Sequence, residues 1–363
     1  MNRIVYLDRV KALGMLLVFF GHFIEKLYFA QAPGALLQWK AVYAMHMPLF
    51  FFLAGVFWKP GRRWFLGTAL NKIKTRLIPV ILFSLIALPF WFLISTPVID
   101  MSRRAALYIS GSPKLNWLCW FLVCLFTLEI LLLVYSRFFR GFGRGRIIGL
   151  ALFCYVIGWG FADYGDKLSF WTGIRKNFWF LNESLTAAGI YLTGFLFRDL
   201  LFEAVRPVRD FVILLGAGII FFATFNLNQG PFEHLYPVAI MAASRHGQPV
   251  LFVLTALAGI IFVIWLLKMI PLKAPLADFI GRNTIIYLGL NGLCFHFFDT
   301  WIYEWVGYTP GSPWMTFGYT MVYSIVMMMF FIPMAWMLRR FVPELVGLPW
   351  SGSSLLPKMK WGQ

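Results

Sequence analysis

The sequence predicts an all-α integral membrane protein with about ten transmembrane helices and both termini in the cytoplasm, and three observations carry that reading. Of 363 residues, 60% are hydrophobic and 13% charged, about half the charged share of an ordinary soluble domain. Apolar stretches of about twenty residues recur, the length that crosses about 30 Å of hydrocarbon. The 32 Lys and Arg, against 15 Asp and Glu, collect in alternate short connections, which is the pattern that orients helices in a bilayer. A net charge of +17 would point a soluble chain toward nucleic acid. Here the charges belong to topology and to membrane-lipid headgroups, and no nucleic-acid partner is expected.

Hydropathy places spans at 9–29, 41–58, 77–96, 115–136, 147–163, 177–197, 211–227, 249–268, 283–299 and 314–337. The first starts from Arg3, Arg9 and Lys11 and has no small-residue cleavage site behind it, so it reads as a retained helix. The second contains Pro48, which frees backbone carbonyls and kinks a helix. Inner connections would then carry Lys59, Arg62, Arg63, Lys72, Lys74 and Arg76, the Ser136 to Arg146 loop with Arg140, and the end with Lys358 and Lys360. Twenty-three basic residues fall inside and nine outside, which sets both termini in the cytoplasm of a cell (inner) membrane. No stretch reads as a separate module. The whole of 1–363 is one membrane-embedded domain, with a short cytoplasmic tail from about 341. Outer connections at 97–114, 228–248 and 300–313 are long and rich in Gly, Pro, Ser and aromatics, suited to roofing a cavity. The cysteines Cys119, Cys124, Cys154 and Cys294 lie in apolar runs and read as packing residues.

Ionisable side chains inside spans mark function by default, because lipid penalises them. They are Lys11 and His22 on span one, His46 on span two, Glu129 on span four, Glu183 on span six, and His296 near Asp299 on span nine. His22, His46, Glu183 and His296 fall about 5 to 11 Å from the outer ends of their spans, while Lys11 and Glu129 lie nearer the inner side. Eleven residues separate Lys11 from His22, a rise of about 16 Å that returns to within about 20° of the starting direction. Asp8, Lys11 and His22 therefore share one face, which suits a ligand with an anionic head and a long arm. Met45, His46 and Met47 alternate and do not converge on a helix, so no metal is expected. Lys72, Lys74 and Arg76 crowd the mouth of span three, as topology signals or as an anion site.

These residues match a known pattern. LDRVKALGMLLVFFGH (Leu7 to His22) resembles the first-span signature of the acyltransferase family 3 integral membrane proteins, where a basic residue precedes a His by ten intervening positions. HMPLFFFLAG (His46 to Gly55), KTRLIP (Lys74 to Pro79), NWLCWFLVCLFTLE (Asn116 to Glu129) and GRNTIIYLGLN (Gly281 to Asn291) are similar to later blocks, in order over most of the chain. The fucose 4-O-acetylase-like branch looks nearest. Against the pattern, Lys11 stands where Arg is commoner, Ala54 where Ser is frequent and Asn291 where His is often found.

The resemblance implies transfer of an acyl group, usually acetyl, from cytoplasmic acetyl-coenzyme A to a glycan or lipid-linked sugar hydroxyl. It implies His22 as the essential histidine, Lys11 as its basic partner, and Arg76 with Lys72 or Lys74 at the donor. On that footing His22 is the general base, with Glu183 and then His46 as the groups expected to orient it. Asn182, Asn291 or Trp117 would line the acceptor side. An acetyl-imidazole intermediate and a homodimer stay open. The rival class is a multi-pass transporter or flippase for a glycan or lipid-linked sugar; no Walker sequence is present.

Overall fold

The structure is a computed structural model that describes residues 4–60, 65–94, 98–139, 143–172, 178–229, 237–271, 273–350 and 354–355, with the backbone alone for 98, 99 and 161–172. The expected inner charges Arg3, Arg62, Arg63, Arg140, Lys358 and Lys360 lie outside the described residues. In chain order the helices are α1 (Val5–Phe29), α2 (Ala35–Tyr43), α3 (His46–Val56), α4 (Phe65–Lys72), α5 (Ile78–Leu93), α6 (Val98–Ala106), α7 (Trp120–Phe138) and α8 (Arg144–Thr172). They continue as α9 (Leu181–Phe202), α10 (Pro207–Thr224), α11 (Pro249–Met269), α12 (Pro275–Arg282), α13 (Thr284–Leu293), α14 (Asp299–Val306), α15 (Pro313–Phe330) and α16 (Ile332–Phe341). Among the described residues there is no strand, and nine segments are long and apolar enough to cross a membrane, one for each of nine expected spans. The expected span at 147–163 falls on α8, a helix of 29 residues. The fold is that of an all-α integral membrane protein.

Proline accounts for the interruptions. Its ring clashes with the carbonyl four residues back and it supplies no N–H. Pro48 thus divides the second span at Ala44 and Met45, so that α3 begins at His46. Pro333 does the same at Phe331, between α15 and α16. Pro79 follows a π turn, Ile73–Leu77, that joins α4 to α5. The third span therefore starts at Phe65 rather than 77, and carries Lys72, Lys74 and Arg76 within the helical segment. A second π turn, Cys294–Phe298, joins α13 to α14.

Contacts group the chain into two compact units, one of Met1–Val56, Phe197–Thr284 and Phe298–Phe330, the other of Phe57–Leu196, Ile285–Phe297 and Phe331–Gln363. In the first, α1 is the axis and packs on α2, α3, α11, α12, α14 and α15. Gly281 makes the tightest of these approaches, since a Cβ there would overlap the Asp8 carbonyl oxygen. Phe19, Phe23, Trp39, Phe51, Phe52 and Trp265 fill the space between these helices. Buried Asp210 on α10 ties α11 down through Lys268 Nζ (3.2 Å) and Trp265 Nε1 (3.2 Å). In the second unit α7 packs on α4 and the first π turn, and a 3-10 turn, Pro343–Val346, packs on that π turn and on α5. The tail from about 341 thus opens with a buried turn, with Pro343, Glu344 and Val346 inside.

Candidate functional site

In the first unit α1 runs without interruption from Val5 to Phe29, so the spacing of Asp8, Lys11 and His22 holds along one helix. Lys11 Nζ lies 3.4 Å from Asp8 Oδ1. At the other end of the helix, Gly21 lets α2 come close. A Cβ at Gly21 would stand 3.1 Å from both Val42 Cγ1 and Tyr43 Cε2. That approach brings the Tyr43 hydroxyl to 3.4 Å from His22 Nδ1 and 3.1 Å from Glu25 Oε2.

The phenol donates to Glu25 Oε2, so its oxygen can accept from His22 Nδ1 in the tautomer that carries the proton there. The 3.4 Å separation is long for a hydrogen bond and is of the kind that tightens around a bound reactant. His46 is buried and its Nδ1 donates to Val42 O (2.9 Å), with its ring 4.7 Å from that of Tyr43. It buttresses the phenol. Two further groups complete this region. Asp299, 1% exposed, accepts from Tyr323 OH at 2.5 Å, and the charges of Lys26 and Glu25 act on it. Phe23 stacks on Tyr323 (3.7 Å) between α1 and α15.

In the second unit the cations of the π turn are held by carboxylates. Arg76 grips Glu129 of α7 with Nε to Oε2 (3.1 Å) and Nη2 to Oε1 (3.2 Å), and Lys72 Nζ reaches Oε1 at 2.6 Å. Lys74 pairs with Glu344. Three positive charges thus meet two negative ones, and Glu129 and Glu344 each keep only 5% of their side chains exposed. Among these described residues a surplus of one positive charge remains. The cations themselves keep 16 to 24% of their side-chain surface, which leaves them within reach of a phosphate.

Glu183, expected to orient His22, belongs to this second unit, where it is buried in the first turn of α9 and its charge acts on Cys124 of α7. His22 draws its seen partner, Tyr43, from its own unit. His296 accepts the Trp117 backbone N–H at Nε2 (3.0 Å), while Asp299 goes to Tyr323. Lys114 lies over the Trp117 ring at 4.0 Å. Asn182 and Asn291 are both buried, and neither amide atom of Asn291 has a hydrogen-bond partner among the described residues. Trp179 and Phe180, at the entry to α9, both hold positive φ (50° and 51°), a strained pair of the sort that clusters at functional sites. No group of three His, Cys, Asp or Glu stands close enough to hold a metal among the described residues, and the four cysteines are buried and unbridged.

Sequence reasoning missed Glu25, Tyr43 and Tyr323. Glu25 had a signal, since it lies three residues after His22 and so on the same face. Tyr43 had none, because its place depends on how α2 folds back on Gly21.

Comparison with known proteins completes the assignment. No curated protein and no solved structure matches the chain. A family model does: the acyltransferase domain of acyltransferase family 3 matches residues 4–336. The match runs from the start of α1 into α16, through both units, and nothing in the comparisons favours a transporter. The chain belongs to acyltransferase family 3 and is a multi-pass membrane acyltransferase.

Proposed function

We propose that the enzyme moves an acetyl group from cytoplasmic acetyl-coenzyme A to a hydroxyl of an envelope or exported glycan, at the inner membrane, with His22 as general base. The observation that carries this reading is the chain of contacts from His22 Nδ1 through Tyr43 to Glu25, in which the tautomer protonated at Nδ1 would present Nε2 to the acceptor hydroxyl. A sugar hydroxyl is a poor nucleophile until its proton is taken. In this mechanism Nε2 takes that proton as the oxygen attacks the thioester carbonyl. The tetrahedral adduct collapses, the C–S bond breaks, and the imidazolium returns its proton to the leaving thiolate. The products are an acetyl ester and the free coenzyme thiol.

Lys11 in one unit and Lys72, Lys74 and Arg76 in the other are the residues we assign to the donor's phosphates. Charge-assisted bonds from cations of this kind are the strong contacts available to a phosphate. In the second unit those cations already hold carboxylates, so phosphate would share Lys72 and Arg76 with Glu129 rather than meet bare charge. Asn182, Asn291 and Trp117 are assigned to the acceptor sugar, whose hydroxyls pair with amides and whose ring faces stack on indole.

The test is a transfer assay on purified protein in nanodiscs, with acetyl-coenzyme A labelled in the acetyl group and envelope glycans from cells lacking the gene. Wild type should release free thiol and add one acetyl mass to the glycan. His22→Ala should do neither while keeping its helical circular dichroism. Unchanged turnover in that variant would remove the proposed base.

A further inference from the structure

The first unit has a second built feature, away from His22. A cleft of about 310 Å³ opens between α1, α11, α12 and α15, lined by Ala12, Leu13, Leu16, Ala277, Ile280 and Met328 among others. Its size falls at the lower edge of the range for small-molecule sites, roughly 300–1,000 Å³. Leu276, Ile325 and Met329 line it and are exposed, so it opens to the surroundings of membrane-spanning helices, which is lipid. Its lining is apolar except for Arg9.

Arg9 is the informative residue. Its side chain is 16% exposed, and Nε donates to Asp278 Oδ1 at 3.0 Å. The two Nη groups make no hydrogen bond among the described residues. A guanidinium carries five N–H donors, and leaving them unmet in an apolar setting costs free energy. Lys273 and Arg282, both exposed, flank α12 and add positive charge beside the same helix. An apolar cleft open to lipid, with an under-used guanidinium in its wall, is complementary to an amphiphile with a long hydrocarbon chain and an anionic head.

We infer that this cleft is a binding site for an anionic phospholipid, with one acyl chain lying between α1 and α15 and the phosphate bound to the Nη groups of Arg9. The chain replaces the methyl and methylene contacts that an open cleft lacks, and the phosphate meets the donors that Asp278 leaves over. The site is independent of the acyl transfer proposed above.

Native mass spectrometry of the full-length protein, released from detergent with dioleoyl phosphatidylglycerol or dioleoyl phosphatidylcholine added, tests it. Wild type should retain one phosphatidylglycerol and prefer it over phosphatidylcholine by about fivefold, the worth of about one cation at a lipid headgroup. Arg9→Gln should erase the preference and still hold one lipid of either kind. Ala277→Trp should fill the cleft and hold none. A diazirine placed on the acyl chain of phosphatidylglycerol should label the peptides containing Leu13, Leu16 or Met328 in wild type, a readout that stands even if Ala277→Trp fails to fold. Equal retention of the two lipids by wild type, labelling confined to other peptides, or displacement of phosphatidylglycerol by an equal concentration of oleate would each overturn the proposal.

Discussion

Two regions of this membrane enzyme hold their ionisable residues on opposite principles. Around the π turn of the second unit, Lys72, Lys74 and Arg76 meet Glu129 and Glu344 in close ion pairs, so charge is nearly cancelled by charge. Around His22 in the first unit, an imidazole, a phenol and a carboxyl group are joined by hydrogen bonds at 3.4 and 3.1 Å. The first arrangement is suited to holding a helix and sharing its cations with a ligand. The second is suited to moving a proton. The lesson is that a dense charge cluster is mostly self-satisfied, while a ring joined to a phenol and a carboxylate by hydrogen bonds keeps the groups a proton transfer needs.

The largest effect separating the two should come from Glu129→Ala. Removing the carboxylate leaves Lys72 and Arg76 facing each other without a counter-charge, and breaking a buried pair in this way costs about 3–5 kcal/mol. Thermal unfolding in detergent should fall accordingly. If stability stayed at the wild-type level, the pairs would be incidental and the cations free for ligand alone.

Acid probes the first unit next, through His246. His246, in the connection between α10 and α11, is buried, and burial pushes its pKa down from 6.5 to about 4. The unfolded chain therefore binds a proton between those values that the folded chain refuses. Stability is whole above about pH 6.5, declines as pH falls toward 4, and levels off below. Across that window 2.5 pH units correspond to about 3 kcal/mol. His246→Phe should flatten the dependence of unfolding temperature on pH. A wild-type slope persisting in the variant would place the sensitivity elsewhere.

Much of this organisation was legible in the sequence, for a clear reason: hydropathy and the 3.6-residue period are local. They locate the nine apolar segments and α8, they put Lys11 and His22 on one face, and Pro48 announces the break before His46. What was hidden is long-range. The third span begins twelve residues earlier than hydropathy suggests, and its Arg76 and Lys72 are both paired with Glu129, 53 and 57 positions away. Glu344 read as part of a polar tail until its turn folded onto the π turn that carries Lys74. Tyr43 sits beside His22 because Gly21 is small, a relation between two helices that no period within either one encodes.

Tyr43→Phe sharpens the comparison from the catalytic side. The ring and its packing remain, while the oxygen that holds His22 Nδ1 and reports to Glu25 is gone. Loss of orientation of this order costs about tenfold to a hundredfold in rate, about 1.4 to 2.8 kcal/mol of barrier. The loss should appear in kcat, with the KM for acetyl-coenzyme A unchanged. A change confined to donor KM would move Tyr43 out of the proton path.

The smallest effect has the most informative sign. Glu344→Gln keeps an oxygen for Lys74 to donate to and removes one negative charge, which raises the surplus at the π turn from one positive charge to two. If these cations meet the donor's phosphates as proposed, the variant should bind acetyl-coenzyme A more tightly. For a phosphate charge about 10 Å away in a water-like medium the gain is about 0.4 kcal/mol, about twofold in Kd. Added salt should shrink it, since the Debye length is about 8 Å at physiological ionic strength. Titration of coenzyme A into wild type and variant at low and high salt measures both quantities. A tighter variant would show that the carboxylates restrain a real anion site. An unchanged or weaker one would reduce Lys74 and Glu344 to a strut between the tail and the third span, and would leave the donor's phosphates to Lys11, Lys72 and Arg76.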